Sequence, residues 1–323
     1  MKNYSFCTYC DINYLPRALT LYDSLAKHCE IPFNLYILCL DEESYSNLSN
    51  RSEYNIIPIS LNVLEKEYPE LLIAKSNRSL IEYYFTLSPI FPLFIIEKYN
   101  PNIITYLDAD LMFFSSPSTI YEELGDKSIY IIEHRFRDKF KGHEISGIFN
   151  VQCQLFRNNK AGLDCLHRWK AQTLDWCYDR HEEGKFADQK YLDEWPHLYG
   201  SDLVISKNIG VGVAPWNIDQ EEVRESEGNF YINNIPIVFY HFHGLKVFNK
   251  FLAKTGLSGY HTDQYKEIET LYRYYLIKLF QNGVLNSKKK KNLRPGNYGN
   301  FFGSLRLALS GVKYKDNIYR PFK

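Results

Sequence analysis

Two aspartates, Asp108 and Asp110, follow a run of β-branched and apolar residues from Ile103 to Leu107 and precede a second apolar run that stops at Ser115, Ser116 and Pro117. The pattern reads as a buried strand delivering acids at its carboxyl end. Carboxylates this close repel each other unless a cation lies between them, and a hard divalent ion able to bridge a diphosphate is the common solution where nucleotides are handled. Asp-x-Asp also occurs in plain surface turns; the hydrophobic strand behind it favours the metal. Far downstream, a strand-like run from Ile235 to Phe242 ends in His241-Phe242-His243-Gly244, with Lys246 just beyond. A lone buried histidine is usually a core residue, but His-x-His beside Gly and Lys at a strand end points to metal or phosphate binding.

Those groups need a scaffold, and the order of elements suggests one. Tyr4 to Cys10 reads as a first strand, followed by a helix opening at Asn13 with Pro16 in its first turn. Strands over 33–40 and 56–59 then alternate with helical pieces over 41–48 and 63–68. Such alternation predicts an α/β fold, a mostly parallel sheet with helices on both faces. Ligands in these sheets sit at the carboxyl ends of strands, where both Thr8-Tyr9-Cys10-Asp11 and Asp108-Ala109-Asp110 fall. A helix over 75–86 with a basic entrance is expected to break at Ser88-Pro89 and Pro92 before a second helix, Phe91 to Tyr99. Arg78 in it is either a solvated first-turn residue or a phosphate contact. A strand over 145–156 turns Asn150, Gln152 and Gln154 to one face, either toward a ligand or into pairing within the sheet. Gly162 to Tyr178 reads as a core helix, 184–196 as a short helix closed by Trp195-Pro196, and 210–217, holding Trp216, as an irregular Gly- and Pro-rich loop.

The chain has 323 residues, enough for a large core, and is rich in Tyr and Phe, which excludes a largely disordered protein and suits surfaces that stack on sugars or bases. Its formal charge is zero, yet residues 288–323 hold ten of the 38 Lys/Arg and one of the 38 acids. The body is therefore acidic and the tail basic, which argues against nucleic acid as a partner outside the tail. Seven scattered cysteines, mostly beside apolar neighbours, read as reduced core thiols of a cytoplasmic protein, and Cys7-x-x-Cys10 has no second pair at zinc spacing. No signal peptide is visible, and the apolar runs read as too short to span a bilayer. The four lysines at 288–291, followed by the apolar segment Phe301 to Leu309, match either a surface-lying membrane anchor or a solvated charge run beside a packed helix.

Over about residues 1–250 these motifs together resemble the metal-dependent GT-A glycosyltransferases, most closely glycosyltransferase family 8. Tyr106-Leu107-Asp108-Ala109-Asp110 is similar to the family's Tyr-Leu-Asp-x-Asp, and His241-Phe242-His243-Gly244 to its His-Tyr/Phe-x-Gly. The resemblance implies Mn²⁺ or Mg²⁺ held by Asp108, Asp110 and His241, with Lys246 on the diphosphate; Arg78, if it is a phosphate contact, adds a second donor there. It implies that Thr8, Tyr9, Cys10, Asp11, Tyr14 and Ala109 hold the nucleotide of a UDP-sugar donor. Asp188 and Gln189 match the Asp-Gln placed beside the reacting sugar carbon, and Asn150, Gln152, Trp216 and His243 fall to the substrate side. The implied fold is GT-A over 1–250, with a helical basic segment over 251–323. The implied activity is hexosyl transfer with retention, to a glycan or lipid-linked glycan such as a surface-polysaccharide precursor; a membrane-lying tail would place it at the inner face of the cell membrane. The chain departs from the family at Phe149-Asn150-Val151-Gln152, where Gln152 replaces a glycine, in lacking the helical arginine around Phe85 to Leu87, and in the earlier placing of Lys246. A nucleotidyltransferase would bring a Gly-rich basic loop after the first strand, which Cys10 to Pro16 lacks. A non-catalytic sugar-binding module would have no need of intact acids and histidine.

Overall fold

The computed structural model describes residues 3–51, 55–249, 252–260 and 266–284, with the backbone of 318–319. The first half alternates strongly: β1 (Tyr4–Cys10), α1 (Leu15–His28), β2 (Phe33–Cys39), α2 (Glu42–Ser49), β3 (Ile56–Ser60), α3 (Leu61–Glu67), α4 (Leu71–Asn77), α5 (Leu80–Tyr99) and β4 (Ile103–Leu107). Then come β5 (Leu111–Phe113), α6 (Ser118–Leu124), β6 (Ile129–Glu133), β7 (Phe149–Arg157), α7 (Lys160–Asp175), α8 (Trp195–Tyr199) and β8 (Leu203–Ile205). Short strands β9 (Val223–Ser226), β10 (Asn229–Ile232), β11 (Ile235–Pro236), β12 (Phe239–His241), β13 (Lys246–Asn249) and β14 (Leu252–Lys254) lead to α9 (Lys266–Gln281) and β15 (Ile318–Tyr319).

Seven strands form the central sheet in the order β3-β2-β1-β4-β7-β6-β8, with β7 alone antiparallel to its neighbours. Side chains of successive strand residues point to opposite faces, and here both faces are apolar. Cys7, Leu38, Tyr106 and Ile131 join Phe91 of α5 and Trp169 of α7 on one side. Phe6, Ile37, Leu107 and Ile132 join Leu19 and Leu25 of α1 and Ile120 of α6 on the other. This is the doubly covered, mostly parallel sheet expected from the alternation. A third cluster binds α9 to the strand ends, with Ile268, Tyr272 and Leu276 against Met112, Phe114, Tyr240 and Phe242.

Four expectations change. The expected break at Ser88-Pro89 does not occur: α5 runs unbroken through Pro89 and Pro92, opened at Ser79 by a capping box with Glu82. Each proline removes only its own N–H, and the segment is buried around most of its circumference, so packing outweighs the lost hydrogen bonds. This helix is also long and apolar enough to cross a membrane, contrary to the reading of the runs as too short, but 67% of its apolar window lies buried inside the fold. Trp195-Pro196 opens α8 instead of closing a helix, because proline is well placed in a first turn. The run 235–242 splits in two: β11 closes a small sheet with β10, and β12 leaves it to pair with β5. The basic tail expected over 288–323, with its lysine run and apolar segment, lies outside the described residues apart from β15, which pairs with β14.

Candidate active site

The sheet opens at the carboxyl ends of β1 and β4 into a cavity of about 740 Å³. Its floor carries the acids. Asp108 and Asp110 follow β4, and His241 ends β12, which is brought alongside by antiparallel pairing with β5 in the register His241 to Leu111. The Phe242 N–H donates to the Asp110 carbonyl at 3.1 Å and locks that register. His241 Nε2 thereby lies 3.1 Å from Asp110 Oδ1 and 3.7 Å from Asp108 Oδ2. The three donor atoms all fall within 4.8 Å of one another. Adjacent donors around an octahedral Mg²⁺ at about 2.1 Å lie about 3 Å apart, so the set fits a hard divalent cation with oxygen and imidazole ligands.

Electrostatics agree with such a role. Burial, opposed by His241 and aided by Asp110, raises the Asp108 carboxyl above its ordinary range, although the Tyr106 hydroxyl donates to it at 2.9 Å. Burial pushes Asp110 the same way, but the charge and hydrogen bond of His241 win and hold it low. Burial would lower His241, yet Asp110 and Asp108 raise it above its usual value. These groups are a compact site in which protons stand where a cation would. Arg17, buried on α1, adds positive charge toward Asp110 while donating to the Leu245 carbonyl at 3.0 Å. It is a residue that sequence reading missed.

Tyr9, Cys10, Asp11 and Tyr14 line one end of the cavity and Ala109 its floor. The loop after β1 is held by Asp41, which caps α2 and accepts from the Ile12 N–H at 3.0 Å, while Asp11 accepts from the Tyr14 N–H at 2.9 Å. Asp188 and Gln189 stand near the acids. Burial first, then the Asp108 charge, raises the Asp188 carboxyl to about 7. The preceding residue, Ala187, has φ of 46°, a left-handed conformation costly for a side chain with Cβ. Gln189 accepts from Asn150 at 3.2 Å.

The far wall is aromatic. Trp216 lies 5.5 Å from His243 and 5.7 Å from Tyr260, ring centre to ring centre. His134, stacked on Phe136 at 4.6 Å, and His143 complete it. Burial lowers His134 to about 3, so its ring is neutral at physiological pH, while the more exposed His243 is lowered by desolvation in the cavity and then by the neighbouring His241 charge. Sequence reading found Trp216 and His243 but not His134, Phe136, His143 or Tyr260, which lie in connections whose neighbours are set only by the fold.

Four expected site residues lie elsewhere. Thr8 is buried within β1, and its hydroxyl has no partner among the described residues. Gln152 is buried beside Gly212, where a Cβ would come within 3.1 Å of its amide nitrogen, and it is not among the residues that line the cavity. Lys246 opens β13 with its side chain in solvent and outside the lining. Arg78 is a brace, not a phosphate contact: its guanidinium donates to the Thr173 and Leu174 carbonyls at 2.6 Å each and to Thr86. These are the orphan carbonyls at the end of α7, which need a donor. Arg78→Ala should therefore lower unfolding stability by about 1–3 kcal/mol in denaturant titration while leaving nucleotide affinity unchanged. Unchanged stability with lost nucleotide binding would return Arg78 to the phosphate.

The seven cysteines are free, and six of them are buried. Cys7 and Cys10 lie buried in β1, where burial pushes both thiols well up, the environment of inert core thiols.

No protein-family model matches the chain. It is 30% identical over 284 residues to the uncharacterized protein YfnD of Bacillus subtilis (strain 168), spanning 86% of this chain and 89% of that one. It is 31% identical over 255 residues to the uncharacterized protein YfnF of the same organism, spanning 75% and 82%. Among solved structures it is similar to apo mouse xyloside xylosyltransferase 1 (TM-score 0.48, 13% identity, 75% of this chain and 98% of that one). It is also similar to galactosyltransferase LgtC in complex with donor and acceptor sugar analogs (TM-score 0.48, 16% identity, 74% and 87%).

Proposed function

The chain belongs to the family of the Bacillus subtilis proteins YfnD and YfnF, and we propose that it is a metal-dependent glycosyltransferase moving a hexose from a UDP-sugar to a glycan or lipid-linked glycan. One observation carries this reading: Asp108, Asp110 and His241 converge at strand ends on the floor of a cavity that also holds Asp188 and an aromatic wall.

Breaking the bond between a sugar and a nucleoside diphosphate leaves negative charge on the departing phosphate and builds positive charge on the sugar carbon. Asp108, Asp110 and His241 would hold Mn²⁺ or Mg²⁺, which would supply Lewis-acid neutralisation of the departing diphosphate. At the other end, Tyr9 and Tyr14 offer ring faces to the base, and Asp11 accepts from ribose or the base edge. In this reading Asp188 stabilises the developing positive charge as a carboxylate, and Gln189, held in place by Asn150, takes a hydroxyl of the transferred sugar. Trp216 and His243, with Tyr260 and Phe136, provide flat apolar faces for the acceptor while excluding water. Retention of configuration is carried over from the family resemblance. Thr8, Gln152, Arg78 and Lys246 have no direct part in this reading.

The test is a donor screen: nucleotide sugars with Mn²⁺ or Mg²⁺, read as release of free nucleoside diphosphate. UDP-sugars should be consumed, and EDTA should stop the reaction. Release from none of the donors, or full turnover in EDTA, would overturn the proposal. Action at the inner face of the membrane, through the basic residues of 288–323, belongs to the same reading and rests on charge alone. Full-length protein should sediment with anionic vesicles at low salt, and a chain ending at Gln281 should not; equal sedimentation removes the membrane from the reading.

A further inference from the structure

The backbone N–H of Gln152 lies 2.9 Å from one end of the Asn150 side chain. A backbone N–H only donates, so that end is Oδ1 and the other is the Nδ2 amine. Nδ2 is 2.8 Å from His134 Nε2, and a donor facing it requires Nε2 to carry a lone pair. The opposite ring nitrogen, Nδ1, is 3.1 Å from the Ile148 carbonyl oxygen, which only accepts, so Nδ1 carries the hydrogen. The second Nδ2 hydrogen reaches Gln189 at 3.2 Å, which makes that end Oε1. Gln189 Nε2 then donates to the Ser146 carbonyl at 3.1 Å. Every link pairs a donor with an acceptor, and reversing either amide would set donor against donor.

We infer that His134 is a positioning residue: as the neutral ring protonated at Nδ1 it locks the Asn150 carboxamide and, through it, fixes which way the Gln189 carboxamide faces. The lock leaves one Nε2 hydrogen of Gln189 for a ligand, so the group recognised there is an oxygen acceptor such as a hydroxyl. The ring itself cannot swing, because it is stacked on Phe136 and packed 5.2 Å from Trp216. Gly147 closes the other side: it has φ of 132°, and a Cβ there would approach Gln189 Cγ to 3.1 Å. What Gln189 does with a sugar rests on the proposed function; its orientation does not.

Two measurements test this separately. Nitrogen-15 NMR of the intact protein at pH 7 should show His134 with its hydrogen on Nδ1 and a bare Nε2. His134→Phe keeps a stacked ring but removes the acceptor and should shift the Gln189 side-chain amide signals. His134→Gln restores an acceptor near the Nε2 position and should bring them back. In nucleoside diphosphate release, the Phe variant should lose kcat by about ten- to a hundredfold with little change in donor KM, and the Gln variant should recover most of it. A hydrogen on Nε2, an imidazolium, or a folded Phe variant with unmoved Gln189 signals would overturn the inference. If the wild type releases diphosphate from no donor, the functional reading fails and the NMR result alone decides the role of His134.

Discussion

Asp110→Ala should reduce metal-dependent turnover by more than about a thousandfold, because it removes one of three ligands and the hydrogen-bond partner of His241. The stability readout separates this from misfolding. Mn²⁺ that binds only the native state should raise the melting temperature of wild type by mass action, whereas the variant should melt at the same temperature with or without the ion. The wild-type site also predicts the direction of pH dependence. Asp108 and His241 both have raised proton affinity, and both must lose their protons to act as ligands. Binding therefore releases protons, and apparent metal affinity should fall as pH drops below neutral. Calorimetry in buffers of different ionisation enthalpy measures that release. An affinity flat between pH 6 and 8, or a variant that still binds the ion, would remove the metal from these residues.

Asp188→Asn should have opposite effects on catalysis and on stability. Transfer should fall roughly a hundredfold or more if the carboxylate stabilises a positively charged sugar carbon, with UDP affinity retained. Stability follows from the raised carboxyl. In the unfolded chain it ionises near the ordinary aspartate value, but in the fold only near 7, since burial and Asp108 oppose the charge. Between those values the unfolded state gives up a proton that the native state keeps, so native stability is lost as pH rises and the full cost is present above pH 7. Asparagine carries no such cost. A tenfold change in proton binding is worth about 1.4 kcal/mol, so the variant should be measurably more stable than wild type at pH 8, and the difference should vanish below pH 4. Equal melting at both pH values, or unimpaired transfer, would reduce Asp188 to an ordinary buried residue.

The strand-ending acids were legible because a buried strand reads as an uninterrupted apolar run, and Ile103 to Leu107 is one. His241 was legible as a residue at a strand end for a related reason, although the pairing that carries it to Asp110 was not, since the run 235–242 gives no sign of parting after Pro236. At α5 the reading gave proline too much weight. Ser79 and Glu82 stand three apart ahead of an apolar run, the sequence mark of a helix start, and a segment apolar on all sides can hold prolines that an exposed helix could not. Arg78 shows the converse limit: a basic residue near a helix start looks the same whether it meets a phosphate or, as here, the carbonyls of a helix distant in sequence. The aromatic wall was half legible, because Phe136 and Tyr260 sit in connections whose place is decided by what they fold against.

The pairing of β5 with β12 sets an order on how the site can be made. During translation the two aspartates leave the ribosome long before His241, and until β12 emerges there is neither the histidine nor a strand to fix β5. If the three residues bind metal as proposed, ion capture waits for this late part of the assembly. A chain stopped short of β12 contains all seven strands of the central sheet but lacks both His241 and the strand that pairs with β5 beside Asp108 and Asp110.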